Sequence, residues 1–194
     1  PVSLLGVENV TKRFGGLLAV DQVSFSVPDG AVFGLIGPNG AGKTTVFNLI
    51  TGNYELDSGS VSFAGADITG KPTHRIVAMG IARTFQTIRL FSDMSVLENV
   101  LAGRHCRMRS GPISAMLRLQ GQRKEETAAL VDLIGRIRER GITVLLIEHD
   151  MSLVMKACEQ LVVLEYGRKI AEGGPDAVKQ DPLVIEAYLG SGEE

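Results

Sequence analysis

The stretch Gly37-Pro38-Asn39-Gly40-Ala41-Gly42-Lys43-Thr44-Thr45 constrains this chain more than any other. It meets the pattern G-x-x-x-x-G-K-[ST] at every fixed position: Gly37, Gly42, Lys43 and Thr44. Ala31-Val32-Phe33-Gly34-Leu35-Ile36 before it is a short apolar run that reads as a buried strand. Thr45-Val46-Phe47-Asn48-Leu49-Ile50 after it reads as a helix, and Gly52 is well placed to end that helix. A glycine-rich turn between strand and helix aims successive backbone N–H groups, and the positive end of the helix dipole, at one point. Lys43 would reach the terminal phosphates of a bound nucleotide, and the Thr44 hydroxyl would meet Mg²⁺. The stretch therefore points to a nucleoside triphosphate site on an α/β sheet.

The rest of the composition narrows the class. A length of 194 residues suits one domain with a real core, and 44% hydrophobic with 22% charged residues is ordinary for a globular chain. No apolar run is long enough to span a bilayer, and no signal-peptide pattern opens the chain, so any membrane association is expected to be peripheral. Cys106 and Cys158 make neither a disulfide framework nor a metal spacing, which suits a reducing cytosol. A net charge of −2 argues against a nucleic-acid binder.

Along the chain, Leu4–Val7 and Val23–Val27 read as strands, and Pro28-Asp29-Gly30 as the turn into the phosphate-binding strand. Phe14, in Thr11-Lys12-Arg13-Phe14-Gly15-Gly16, is placed to stack on a purine ring, and fits a minor core position as well. Ser58–Phe63 reads as a turn and strand, Asp67–Gly70 as a loop, and 74–80 as a short helix. Ile81–Gln86 reads as a strand whose closing amide could meet Mg²⁺ and an attacking water, although a lone glutamine is commonly a plain surface residue. Six Arg or Lys and no Asp or Glu lie between Arg104 and Lys124, which suits a solvated face more than a lipid or acidic partner. Leu130, Leu133, Ile134 and Ile137 recur at helical spacing up to Gly141.

Ile142–Ile147 is a continuous apolar run, as expected of a strand buried on both faces of a parallel sheet. Glu148-His149-Asp150 follow at its carboxyl end, where ligands dock in open α/β sheets. His149 could bond a terminal phosphate there; a capping or core histidine is the other reading. Leu161–Glu165, Tyr166-Gly167 and Lys169–Ala171 form a hairpin, and Pro175 and Asp181-Pro182 open two last helices.

Taken together the motifs resemble the ATP-binding subunit of an ABC transporter, of the branched-chain amino acid importer type. The resemblance runs over residues 1 to about 123 and about 127 to the end. It rests on the 11–16 loop, Leu35–Thr45, Gly80-Ile81-Ala82-Arg83-Thr84-Phe85-Gln86 and Leu146–Met151, in that order, with Tyr166–Gly173 adding the subfamily flavour. It implies an α/β P-loop ATPase fold with a parallel core sheet and an N-terminal antiparallel β subdomain. It further implies one domain over 1–194: a nucleotide-binding core and β subdomain (1–86), a remnant of the helical subdomain (87–126), and a switch region with the C-terminal part (127–194). By the family's pattern Phe14 stacks on adenine, residues 37–45 cradle ATP, and Thr44 with Gln86 serves Mg²⁺. His149 holds the γ-phosphate, and Ile88–Val100 grips a transmembrane permease subunit. The implied setting is the cytoplasmic face of the inner membrane, with a second ATP-binding subunit, identical or paralogous, completing the pair.

Two family parts have no counterpart in the text: the L-S-G-G-Q-type signature, and the apolar strand ending in Asp-Glu that supplies the water-polarising carboxylate. Both belong between Gln86 and His149, which only 62 residues separate. Val144–Glu148 does not stand in for that strand, because His149 follows at once and marks it as the switch strand. The seam falls near Lys124-Glu125-Glu126-Thr127, so the expectation is a truncated helical lobe and a missing core strand. Hydrolysis is then expected near zero; the alternative function is a non-catalytic nucleotide-binding remnant.

Overall fold

The computed structural model describes residues 3–83, 123–148 and 151–189. Two sheets carry it. The first is antiparallel: β1 (Ser3–Phe14), β2 (Leu17–Pro28), β4 (Ser58–Phe63) and β5 (Ala66–Asp67) lie in the order β2-β1-β4-β5. The second is built on β3 (Val32–Ile36), which pairs in parallel with β6 (Val144–Ile147) on one side and β7 (Gln160–Glu165) on the other. An antiparallel strand, β8 (Arg168–Gly173), closes it in the order β6-β3-β7-β8. The expected parallel core and antiparallel N-terminal subdomain are both present, the core sheet being mixed at its β8 edge.

The pleat sorts the core into two clusters, because alternate side chains of a strand leave on opposite faces. Phe33 and Leu35 of β3, with Val162 and Leu164 of β7, face the antiparallel sheet and meet Val7, Val23 and Phe25 there. Val32 and Ile36, with Leu161 and Val163, face the helices on the other side. Those helices are α3 (Arg123–Glu139), α4 (Met151–Ala157), α5 (Pro175–Gln180) and α6 (Pro182–Leu189), which contribute Ile134, Val154, Val178 and Val184. Gly34 lies on the helical face, where a Cβ would come within 2.5 Å of Leu161 and 3.2 Å of Val154, so that helix packs directly on backbone. Two further helices, α1 (Lys43–Ile50) and α2 (Thr73–Met79), follow β3 and β5.

Three sequence expectations are corrected. The first two strands are 12 residues each, far longer than their apolar cores, because cross-strand bonding carries them to the Phe14–Leu17 turn. Ile81–Arg83 is not a strand: Arg83 turns toward α1, its guanidinium donating to Asn48 Oδ1 at 2.6 Å and lying 4.6 Å from the Phe47 ring centre. The 142–147 run is a strand only from Val144, and all four of its residues are half-buried, not enclosed. Among the described residues β6 pairs with β3 alone, so no described strand bonds to its other edge.

Candidate functional site

Strand register assembles the site. Leu35 pairs with Ile147 and Ile36 with Val163, so β3, β6 and β7 run parallel toward one edge of the sheet, β7 reaching two residues further to Glu165, and the residues after them gather at that edge. At that edge a cavity of about 600 Å³ is lined by Asn39 to Thr45, by Phe14 and Leu17–Ala19 from the first hairpin, by Ile147 at the end of β6 and Glu148 after it, and by Tyr166. The site thus lies at the carboxyl edge, where open α/β sheets take ligands.

The phosphate loop itself is held by backbone geometry. Gly37 has φ +148°, and a Cβ there would lie 2.1 Å from the Leu164 carbonyl oxygen; Gly42, the N-cap of α1, has φ +95° and no room beside the Ala19 carbonyl. A side chain at 37 meets backbone, which no rotamer change relieves. Gly37→Ala is expected to destabilise the fold by about 2 kcal/mol or more. It should also weaken ADP binding at least about tenfold, as thermal melts and ADP titration on the variant would show. The first turn of α1 carries no acidic residue and no side-chain cap, so its positive end is left for an anion.

Lys43 is folded back onto this loop, its Nζ donating to the carbonyls of Gly37 at 2.6 Å and Pro38 at 2.7 Å. Burial pushes its pKa below the usual lysine value. Phe14 is 42% exposed at the cavity's rim, its ring edge-on to Tyr54 with centroids 5.2 Å apart and Lys12 Nζ 5.5 Å from its centre. The core reading of Phe14 is therefore not followed; it offers a ring to the cavity.

Thr44 is among the residues lining the cavity, and among the described residues no group of three or more His, Cys, Asp or Glu converges to cage a metal. A Mg²⁺ held by one hydroxyl and the phosphates of its nucleotide fits that donor set. Gln86 and His149, and the Ile88–Val100 segment, lie outside the described residues.

Tyr166 is the residue sequence reasoning passed over. It was legible only as the turn between β7 and β8, yet it is 85% exposed and borders the cavity. The turn is fixed across the chain: Gly167 N–H donates to Ala41 O at 3.1 Å, Asp21 N–H donates to Gly167 O at 2.8 Å, and Arg168 pairs with Asp21 at 2.7 Å. No local signal announces contacts between residues this far apart in the chain.

A strand-loop-helix phosphate cradle at the carboxyl edge of a largely parallel sheet, with an antiparallel sheet on one face, defines a P-loop nucleotide-binding cassette. The model of the ABC transporter family matches residues 20–157, and that of the branched-chain amino acid ATP-binding cassette transporter matches residues 168–194. The chain belongs to the ABC transporter family, as an ATP-binding cassette.

It is 33% identical over 249 residues to the high-affinity branched-chain amino acid transport ATP-binding protein BraF of Pseudomonas aeruginosa, covering 96% of this chain and 98% of the relative. It is 32% identical over 254 residues to the probable branched-chain amino acid transport ATP-binding protein LivG of Methanocaldococcus jannaschii, covering 97% and 98%. Among solved structures, the ADP conformation of MJ1267, an ATP-binding cassette of an ABC transporter, superposes with a TM-score of 0.77 at 29% identity, covering 98% and 100%. The alignment to BraF has 249 positions and this chain 194 residues, so at least 55 of those positions face a gap here.

Proposed function

We propose that this chain is the energy-coupling subunit of an importer for branched-chain amino acids, seated on the cytoplasmic face of the membrane against transmembrane permease subunits. The observation that carries this is the cavity itself, about 600 Å³, which the phosphate loop and Phe14 both line. In this reading Phe14 stacks on adenine, and loop amides with Lys43 neutralise the β- and γ-phosphates. Thr44 holds Mg²⁺ with Gln86, and His149 meets the γ-phosphate. Mg²⁺ would supply charge neutralisation between the phosphates; orientation and water exclusion fall to the protein.

A second ATP-binding subunit, identical or paralogous, would complete the pair. The names of the relatives support the substrate class and the permease partner. Among the described residues no helix is long and apolar enough to cross a membrane, so contact with the bilayer would run through the permease.

The aligned gap and the short spacing between Gln86 and His149 support an internal deletion near 124–127, the region where α3 begins. The half-buried state of β6 supports a missing core neighbour beside it. The test is calorimetric titration of the purified chain with ADP and ATP in Mg²⁺. Saturable binding of both nucleotides at one site per chain is expected, whereas heat changes no larger than with AMP would sink the reading.

A further inference from the structure

The ring that Phe14 offers to the cavity stands on a strand end that outruns one of its neighbours. β1 pairs with β4 no further than Thr11, opposite Ser58, whereas Lys12, Arg13 and Phe14 pair with β2 alone. The residue just before β4, Asp57, takes the place of the next rung. Its N–H donates to Thr11 O at 3.0 Å, and one of its carboxylate oxygens accepts from the Arg13 N–H at 2.5 Å. The other oxygen accepts from Lys12 Nζ at 3.0 Å. One side chain thus holds both residues that precede the ring.

Lys12 and Phe14, two residues apart on a strand, leave it on the same face, and the amine that Asp57 holds is the one lying 5.5 Å from the Phe14 ring centre. The bond from Lys12, and then that from the Arg13 amide, keep the Asp57 carboxyl below the usual carboxylate range, so it meets both as an anion. Tyr54, three residues earlier, adds the edge-on contact to the ring. This connection is tied back to α1, the Asn53 and Tyr54 N–H groups donating to the Asn48 carbonyl at 2.8 and 3.2 Å. Since α1 opens at Lys43, the ring and the phosphate loop hang from one short stretch of chain.

We propose that Asp57 is a positioning residue for the base end of the nucleotide site: by holding the Lys12 amine and the Arg13 amide, it fixes the Phe14 ring at the cavity. A ring that wanders must be ordered when the base arrives, and that cost is taken from the affinity; a ring held beforehand spares it. Asp57 is not among the residues lining the cavity, so it acts through Phe14. Its ion pair is solvent-facing on the carboxylate side and contributes little to stability, so the contact serves binding more than folding.

This rests on the reading of Phe14 as the base-stacking ring, and the experiment separates the two. Wild type, Asp57→Ala, Phe14→Ala and the double variant are titrated with ADP and with inorganic tripolyphosphate, which has phosphates but no base. Asp57→Ala is expected to weaken ADP relative to tripolyphosphate about threefold to tenfold, the range of one hydrogen bond. In the Phe14→Ala background the same substitution should add nothing, because the residue acts through the ring. An equal change for both ligands, or a full further loss in the double variant, marks a merely structural role and overturns the proposal. If Phe14→Ala weakens ADP and Asp57→Ala does not, this inference alone fails; if Phe14→Ala leaves ADP binding intact, the stacking reading fails with it. A measurement free of any variant is amide exchange in the wild type. The Arg13 amide, beyond the last β4 rung, should exchange as slowly as its ladder neighbours, and exchange at the rate of an open chain end refutes the contact.

Discussion

Lys43→Ala is expected to weaken ATP and ADP binding by about a hundredfold, with little change in the melting temperature of the nucleotide-free chain. The reason is the asymmetry of the two states. Without nucleotide Lys43 donates only to two carbonyls of its own loop, Gly37 and Pro38, in a half-exposed setting that contributes little net stability. With nucleotide the same amine would face several phosphate oxygens in the cavity that Phe14 and Tyr166 border, where charge-assisted bonds are stronger than the two carbonyl bonds they replace. Calorimetry on wild type and variant measures the difference; an unchanged affinity would end the phosphate-loop account.

The same lysine gives the binding a pH signature. Burial lowers its pKa in the free site, and phosphate oxygens would raise it in the complex. Its contribution to affinity is therefore complete below the free-site value and is lost as pH rises through the higher, nucleotide-bound value. The wild type should show this alkaline decline, accompanied by proton uptake on binding, and Lys43→Ala should lack it.

The second large effect is on turnover. The chain is expected to hydrolyse ATP at least about a hundredfold more slowly than an intact cassette, because its sequence has no counterpart of the apolar strand ending in Asp-Glu that supplies the water-polarising carboxylate. The signature that clamps ATP across the subunit pair has no counterpart in the sequence either. Steady-state phosphate release by the purified chain, with its intact mass checked at 20.8 kDa, measures this directly. Among the described residues Glu148 is the one carboxylate lining the cavity, so Glu148→Gln is the necessary companion. Ordinary turnover lost in that variant would make Glu148 the base and reverse the prediction.

Much of this was legible beforehand. The phosphate loop announces itself because its conformation is local: glycines at 37, 40 and 42 take positive φ, and Lys43 and Thr44 open the helix that follows. Gly141 and Gly52, also at positive φ, follow the ends of α3 and α1 as their positions suggested. The hairpin around Tyr166-Gly167 and the two terminal helices opened by Pro175 and Pro182 were equally local, and stand where the turn and proline signals put them. Arg83 was less readable: a strand-like apolar lead misled, because a cation over the Phe47 ring outweighed local pattern.

By itself, then, the sequence determined the local parts: which backbone makes the glycine-rich turn between strand and helix, which amine and hydroxyl that turn carries, and which family motifs are present or lacking. Those depend on residue type and short spacing. The tertiary structure alone decided which distant residues join them: Tyr166 at the rim of the cavity, held through Gly167 to Ala41, and the half-buried state of β6. These follow from strand register and helix packing, which bring together groups more than a hundred residues apart, and no local propensity encodes a contact made at that distance.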